Sequence, residues 1–108
     1  MMIELMTVKT HCRIDDDDTS EDDLLTIYIG AAKRHVETFT RRTLYATNTD
    51  PGYESDEDRL LLDDDVRTAM LLLAGHWFAN REAVSDKSLS EIPLAVNALL
   101  QPYVIYGV

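Results

Sequence analysis

The sequence predicts an all-α fold: a small bundle of about four helices, with an irregular acidic loop between the second and third and an extended C-terminal tail. Three observations lead there. Apolar residues recur at helical spacing in two long segments. Runs of Asp and Glu stand where those helices should begin. Pro93 suits the first turn of a last helix, where the missing N–H costs nothing.

The first helix is expected over residues 1–14. Ile3, Met6 and Val8 are apolar, and Leu5 and Cys12 lie seven apart on one side. Lys9 and Arg13 sit near its end, where cations suit the helix dipole. Asp15–Asp18 is then a turn. Thr19 or Ser20 is the expected cap of the second helix, residues 20–42, with Thr19 and Asp22 spaced nearly as a capping box. Leu25, Ile29, Ala32, Val36 and Phe39 repeat at steps of four and three and define its core face. Leu24, Tyr28, Ala31 and His35 flank that stripe, while Lys33, Arg34, Glu37 and Arg41 face water. Gly30 lowers helix propensity by about 1 kcal/mol relative to Ala, so its expected use is the close approach of another helix.

Residues 43–62 are the least regular part. Asn48-Thr49-Asp50-Pro51-Gly52 signals a turn, and residues 53–58 are polar and acidic. The stretch is expected to be a loop with a short strand or hairpin, or a partly mobile arm. The central helix follows, over residues 64–84. Val66, Met70, Leu73 and Trp77 form one face, Ala69, Leu72 and Ala79 widen it, and Leu71, Ala74 and Phe78 continue round the other side. A helix apolar most of the way round is a buried one. Asp63, Asp64 and Asp65 supply its cap and N-terminal charge. Ser85 to Glu91 is a polar connector, residues 92–101 form the last helix, and Pro102 ends it. The tail, residues 102–108, is β-prone with nothing in its own sequence to pair with.

A chain of 108 residues with no internal repeat or low-complexity linker reads as one domain spanning 1–108. Its core is modest because a short chain buries a smaller share of its surface, so association would help it. The single Cys12 excludes an intrachain disulfide and fits a reducing compartment. No leader is expected, since Glu4 falls where a basic segment should be. The apolar stretch from Ala69 to Ala79 is shorter than the ~20 residues of a membrane span. The net charge of −10 disfavours gripping phosphates and favours letting DNA slide past.

Searching for chemistry yields little. Counted from Asp15 or from Asp16, the acidic run lacks the Gly and the Glu that a calcium-binding EF-hand loop requires, so it reads as a solvated, capping turn. His11, His35 and His76 are too few and too scattered for a zinc site. Cys12 has no recognisable base partner, and phosphate-cradling and nucleophile-elbow motifs are absent. No enzyme and no cofactor are expected. Lys33-Arg34 and Arg41-Arg42 are the only basic concentration, read as a solvated face balancing nearby acids. Trp77 and Phe78 are adjacent and cannot both point into one bundle core, so one of them is expected at a subunit contact.

The segment Val8-Lys9-Thr10-His11-Cys12-Arg13-Ile14-Asp15, followed by Glu21-Asp22-Asp23-Leu24-Leu25, Tyr28-Ile29 and Ala31-Ala32, resembles the opening of the small phage head–tail connector proteins. Val36-Glu37, Phe39-Thr40, Arg42 and Leu44 continue the likeness. So do Ala69–Leu73, His76-Trp77-Phe78, Asn80-Arg81-Glu82, Ile92-Pro93, Val96, Leu99-Leu100 and Pro102-Tyr103. Cys12-Arg13 stands where that family more often has Leu-Arg, and the tail after Tyr103 lacks its common basic residue. The resemblance implies an all-α subunit of a ring, commonly of about a dozen copies, docked under the portal of a tailed bacteriophage. Such a ring joins capsid to tail, meets a downstream tail-completion protein and extends the channel for double-stranded DNA without binding it specifically. It forms in the host cytoplasm and ends in the virion, with no membrane partner. Trp77, Phe78, Tyr103, Val104, Ile105 and Tyr106 are the candidate subunit and portal interface. The alternative from composition is a small acidic regulatory module, either a DNA mimic or an antitoxin-like partner. A hydrolase is the weakest reading.

Overall fold

A computed structural model describes residues 3–80 and 94–105. Its organising element is the helix Asp64–Ala79, here α3. It packs against α1 (Leu5–His11), α2 (Asp22–Thr40) and α4 (Leu94–Leu100). Val66, Ala69, Met70, Leu73 and Ala74 of α3 are buried against Leu25, Ile29, Ala32 and Val36 of α2 and against Val96 and Leu100 of α4. Burying each of the larger side chains contributes about 1.5–3 kcal/mol. The core face of α2 is the one its spacing predicts from Leu25 to Val36; at its end Thr40 is buried in place of Phe39, which is half-buried.

The all-α expectation needs correction. Residues 43–62 hold two short strands, β1 (Thr43–Tyr45) and β2 (Arg59–Leu61), paired in parallel with Leu44 opposite Leu60. The pairing is not a hairpin, because parallel strands need a crossover of a dozen or more residues, and residues 46–58 provide it. Leu44 and Leu60 turn inward while Thr43, Arg59 and Leu61 stay exposed, the two-residue alternation of a sheet with one face on the core. The crossover is held by its own polar groups. Asp50 accepts from the Ala46 and Thr47 amides at 3.0 and 3.2 Å and from the Thr47 hydroxyl at 2.8 Å. Tyr45 donates to Asp56 at 2.9 Å, meets Tyr53 edge-on at 5.6 Å, and Tyr53 in turn carries the Arg59 guanidinium at 4.8 Å.

The helix ends also differ from expectation. α1 stops at His11 because Arg13 takes a left-handed conformation (φ 60°) and the Ile14 amide bonds back to the Lys9 carbonyl at 2.8 Å, the closing bond of a Schellman turn. At the start of α2, neither Thr19 nor Ser20 caps; Asp18 instead gathers the Ser20 amide and hydroxyl at 3.0 and 2.6 Å, and Glu21 holds the cap position without a side-chain capping bond. α2 ends on Arg41, also left-handed at φ 61°. Glu37, expected to face water, is half-buried and accepts the Leu44 amide at 2.8 Å, fixing the step from α2 into β1. Asp63 caps α3 through the Val66 amide at 3.4 Å. Residues 81–84 of the expected central helix and 92–93 of the expected last helix lie outside the described residues.

Within the described chain, no element approaches Gly30; the close approach occurs at Gly75 instead. A Cβ on Gly30 would meet nothing within 4 Å, whereas one on Gly75 would stand 2.6 Å from the His11 ring. Gly75 therefore lets α1 lie on the outer side of α3.

Candidate assembly surface

Trp77 and Phe78 sit near the end of α3, both half-buried against the core edge. Trp77 meets the Tyr28 ring at 5.9 Å, tilted by 48°. Leu71 and Leu72 are likewise half-buried. The fully buried positions of α3 end at Ala74, and the apolar groups Trp77 and Phe78 beyond it are half-buried.

The other candidate residues lie at the opposite end of α3. Leu100 leads into a 3-10 turn, Gln101–Tyr103, so Pro102 opens a new turn rather than closing the chain's helical course. The Tyr103 hydroxyl donates to Asp65 at 3.0 Å and to Asp63 at 3.4 Å. Burial and these two carboxylates push the Tyr103 phenol up to about 12. Arg42 Nε donates to the Tyr103 carbonyl at 2.6 Å. The Ile105 amide donates to the Thr40 carbonyl at 3.0 Å, satisfying one of the carbonyls that the end of α2 leaves open. The expectation of a tail with nothing to pair with is thus overturned as far as Ile105: the chain's own α2 and α3 hold it. Val104 and Ile105 are half-buried, and Tyr106 lies outside the described residues. From Asp65 to Trp77 the helix rises roughly 18 Å, so Tyr103–Ile105 and Trp77–Phe78 form two patches, not one.

Half of the basic groups among the described residues are engaged within the chain: Lys9, Arg42, Arg59 and Arg67. Lys9, expected near the end of the first helix to suit its dipole, stands in its last turn but is buried at 2 % exposure, with Nζ 2.9 Å from Asp22 Oδ1 and bonded to the Asp16 carbonyl at 3.3 Å. The Asp22 contact is ionic and lies off the hydrogen-bonding direction. Arg67 pairs with Asp64 at 3.3 Å. Acids dominate the outside: Asp15–Asp18, Glu54, Glu57, Asp58 and Asp63–Asp65 are all exposed. Turn hydrogen bonds hold the Asp18, Asp50 and Asp56 carboxyls below their usual range, with Ser20, Thr47 and Tyr45 as the leading donors. Burial pushes the Cys12 thiol up, which lowers its thiolate fraction. Among the described residues no three His, Cys, Asp or Glu side chains gather as a metal site, and no helix is long and apolar enough to cross a membrane.

The family model for phage gp6-like head–tail connector proteins matches residues 2–103. The chain belongs to that family. No match was found among curated proteins or among solved structures. The connector family is a family of phage structural proteins, not of enzymes; in this connector the Asp18, Asp50 and Asp63 carboxylates are engaged in turns and a helix cap.

Proposed function

We propose that this connector subunit assembles with copies of itself into a ring under the phage portal, joining capsid to tail and extending the channel through which double-stranded DNA leaves. The observation that carries the reading is the incomplete cover of α3: its core face is filled, yet Leu71, Leu72, Trp77 and Phe78 remain half-buried in a single chain. Apolar groups left in that state gain from a neighbour's surface. In this reading Trp77 and Phe78 meet a neighbouring subunit. Tyr103, Val104, Ile105 and Tyr106 form the portal-facing end, with a tail-completion protein on the far side of the ring. The exposed acids face passing DNA without gripping it.

Electron microscopy and light scattering of the purified protein, alone and with its portal, test the proposal. A ring in either condition is the expected result; a persistent monomer in both overturns it. The acidic regulatory module draws on net charge alone, and connector family membership favours the first reading.

A further inference from the structure

The outer side of α2 is covered by no other part of the described chain. Its core side runs through Leu25, Ile29, Ala32, Val36 and Thr40. Half a turn away, at the same helical spacing, stand Asp23, Ile27, Gly30, Arg34, Thr38 and Arg41, all exposed. Ile27 is 65 % exposed although it lies opposite the centre of the core face. Gly30 beside it weakens the helix without admitting any element of its own chain, since a Cβ there would meet nothing within 4 Å. Arg34 and Arg41 flank this shallow strip, and among the described residues neither pairs with an acid. Among the described residues Arg13 is exposed in the same condition, as is Arg59, which lies over the Tyr53 ring.

We propose that this face of α2 receives a second copy of the chain, with the neighbour's acidic surface lying over Arg34 and Arg41 and its backbone coming close at Gly30. The inference rests on the ring reading and names its lateral contact. Charge complementarity identifies the occupant. The chain carries a net charge of −10, and its exposed surface is acidic at the Asp15–Asp18 turn and along Glu54, Glu57 and Asp58. Two such chains repel unless the basic strip of one meets the acids of the other. A ring requires this kind of head-to-tail contact between unlike faces. Ile27 supplies the apolar centre of the strip and the two arginines its charged edge.

Three forms of the full-length chain test it: wild type, Gly30→Leu and Arg34→Glu. Melting of the unassembled chain reports folding, and light scattering against concentration, with and without portal, reports assembly. Gly30→Leu is expected to keep or raise Tm by about 4 °C, because it adds helix propensity where nothing clashes. It is also expected to raise the concentration needed for assembly by about tenfold or more. Arg34→Glu is expected to do the same to assembly with Tm unchanged. Opposite signs on folding and assembly are what a purely structural Gly30 would not produce. A wild type that never assembles overturns the ring and this face together. A wild type that assembles, with both variants matching it, overturns this face alone.

Discussion

Lys9 is only 2 % exposed, and its Nζ stands 2.9 Å from the carboxylate of Asp22, itself 29 % exposed. Breaking a buried pair from one side typically costs about 3–5 kcal/mol, and the partial exposure of Asp22 reduces that. Lys9→Ala is therefore expected to lower stability by about 2–3 kcal/mol in urea unfolding, because it also removes the packed methylene stem; Lys9→Met, which keeps a stem of similar volume, should lose less. His35 is the second residue with a testable charge state. It stacks on Phe39 at 6.0 Å, and its Nε2 is buried. Burial lowers its pKa from the ordinary 6.5, with Asn97 pulling the other way. A histidine whose folded pKa is depressed binds its proton later in the folded state than in the unfolded one, so stability is complete above about pH 6.5 and falls as pH drops below it. His35→Gln removes this component. The stability difference between wild type and His35→Gln, followed by chemical unfolding, should shift against the wild type between about pH 7.5 and 5.5; a difference flat across that range would contradict the depressed pKa.

At the scale of elements, the tail is tied to both long helices. Tyr103 holds Asp65 and Asp63 at the start of α3 while Arg42 and Thr40 hold the chain beside the end of α2. Tyr103→Phe keeps the ring and removes the hydroxyl, so it should cost about 0.5–1.5 kcal/mol, measured by thermal melting, with the change confined to the junction of tail and α3. Deleting Tyr103–Val108 would remove these fold contacts along with any portal contact, so a docking test of the tail is read together with a melting curve. Sequence pattern revealed the long helices well. The four-and-three spacing of Leu25, Ile29, Ala32 and Val36 is the core face of α2, and Asp63 caps α3 where an acidic run meets an apolar one. The strands were hidden because each is three residues long and pairs with a segment across an acidic crossover, leaving Leu44 opposite Leu60 as the only buried pair. Lys9, Glu37 and Arg42 escaped for a shared reason. Each is a long polar side chain whose partner lies in a neighbouring element, and periodicity along one helix carries no information about that partner. The roles of Gly30 and Gly75 could not be told apart either, since a glycine records that a Cβ is missing but not what lies over it.

For the molecule as a whole, the decisive quantity is how few cations remain to meet an anion. Ten Lys and Arg stand against twenty Asp and Glu. Of the eight within the described residues, Lys9 is buried, Arg42 is bonded to the Tyr103 carbonyl, Arg59 lies over Tyr53 and Arg67 is paired with Asp64. Arg13, Arg34 and Arg41 are exposed without such a contact and Lys33 is half-buried without one; Arg34 and Arg41 lie on one helix face while Arg13 follows α1. Affinity for duplex DNA grows with the number of phosphates neutralised, and a protein that grips DNA typically makes about 6–10 such contacts. Among the described residues these four cations, amid exposed carboxylates, fall short of that, and the field of the rest is repulsive. The purified connector should therefore leave duplex DNA unshifted in gel electrophoresis even at about 50 mM salt, where phosphate contacts are strongest. Substituting Lys at Asp15, Asp16 and Asp17 together should produce a weak shift that disappears as salt is raised, since it exchanges three exposed carboxylates for ammonium groups. A salt-sensitive shift by the wild type would mean that its cations act together on DNA, and a channel surface over which DNA slides freely could not then be built from this chain's exposed charge.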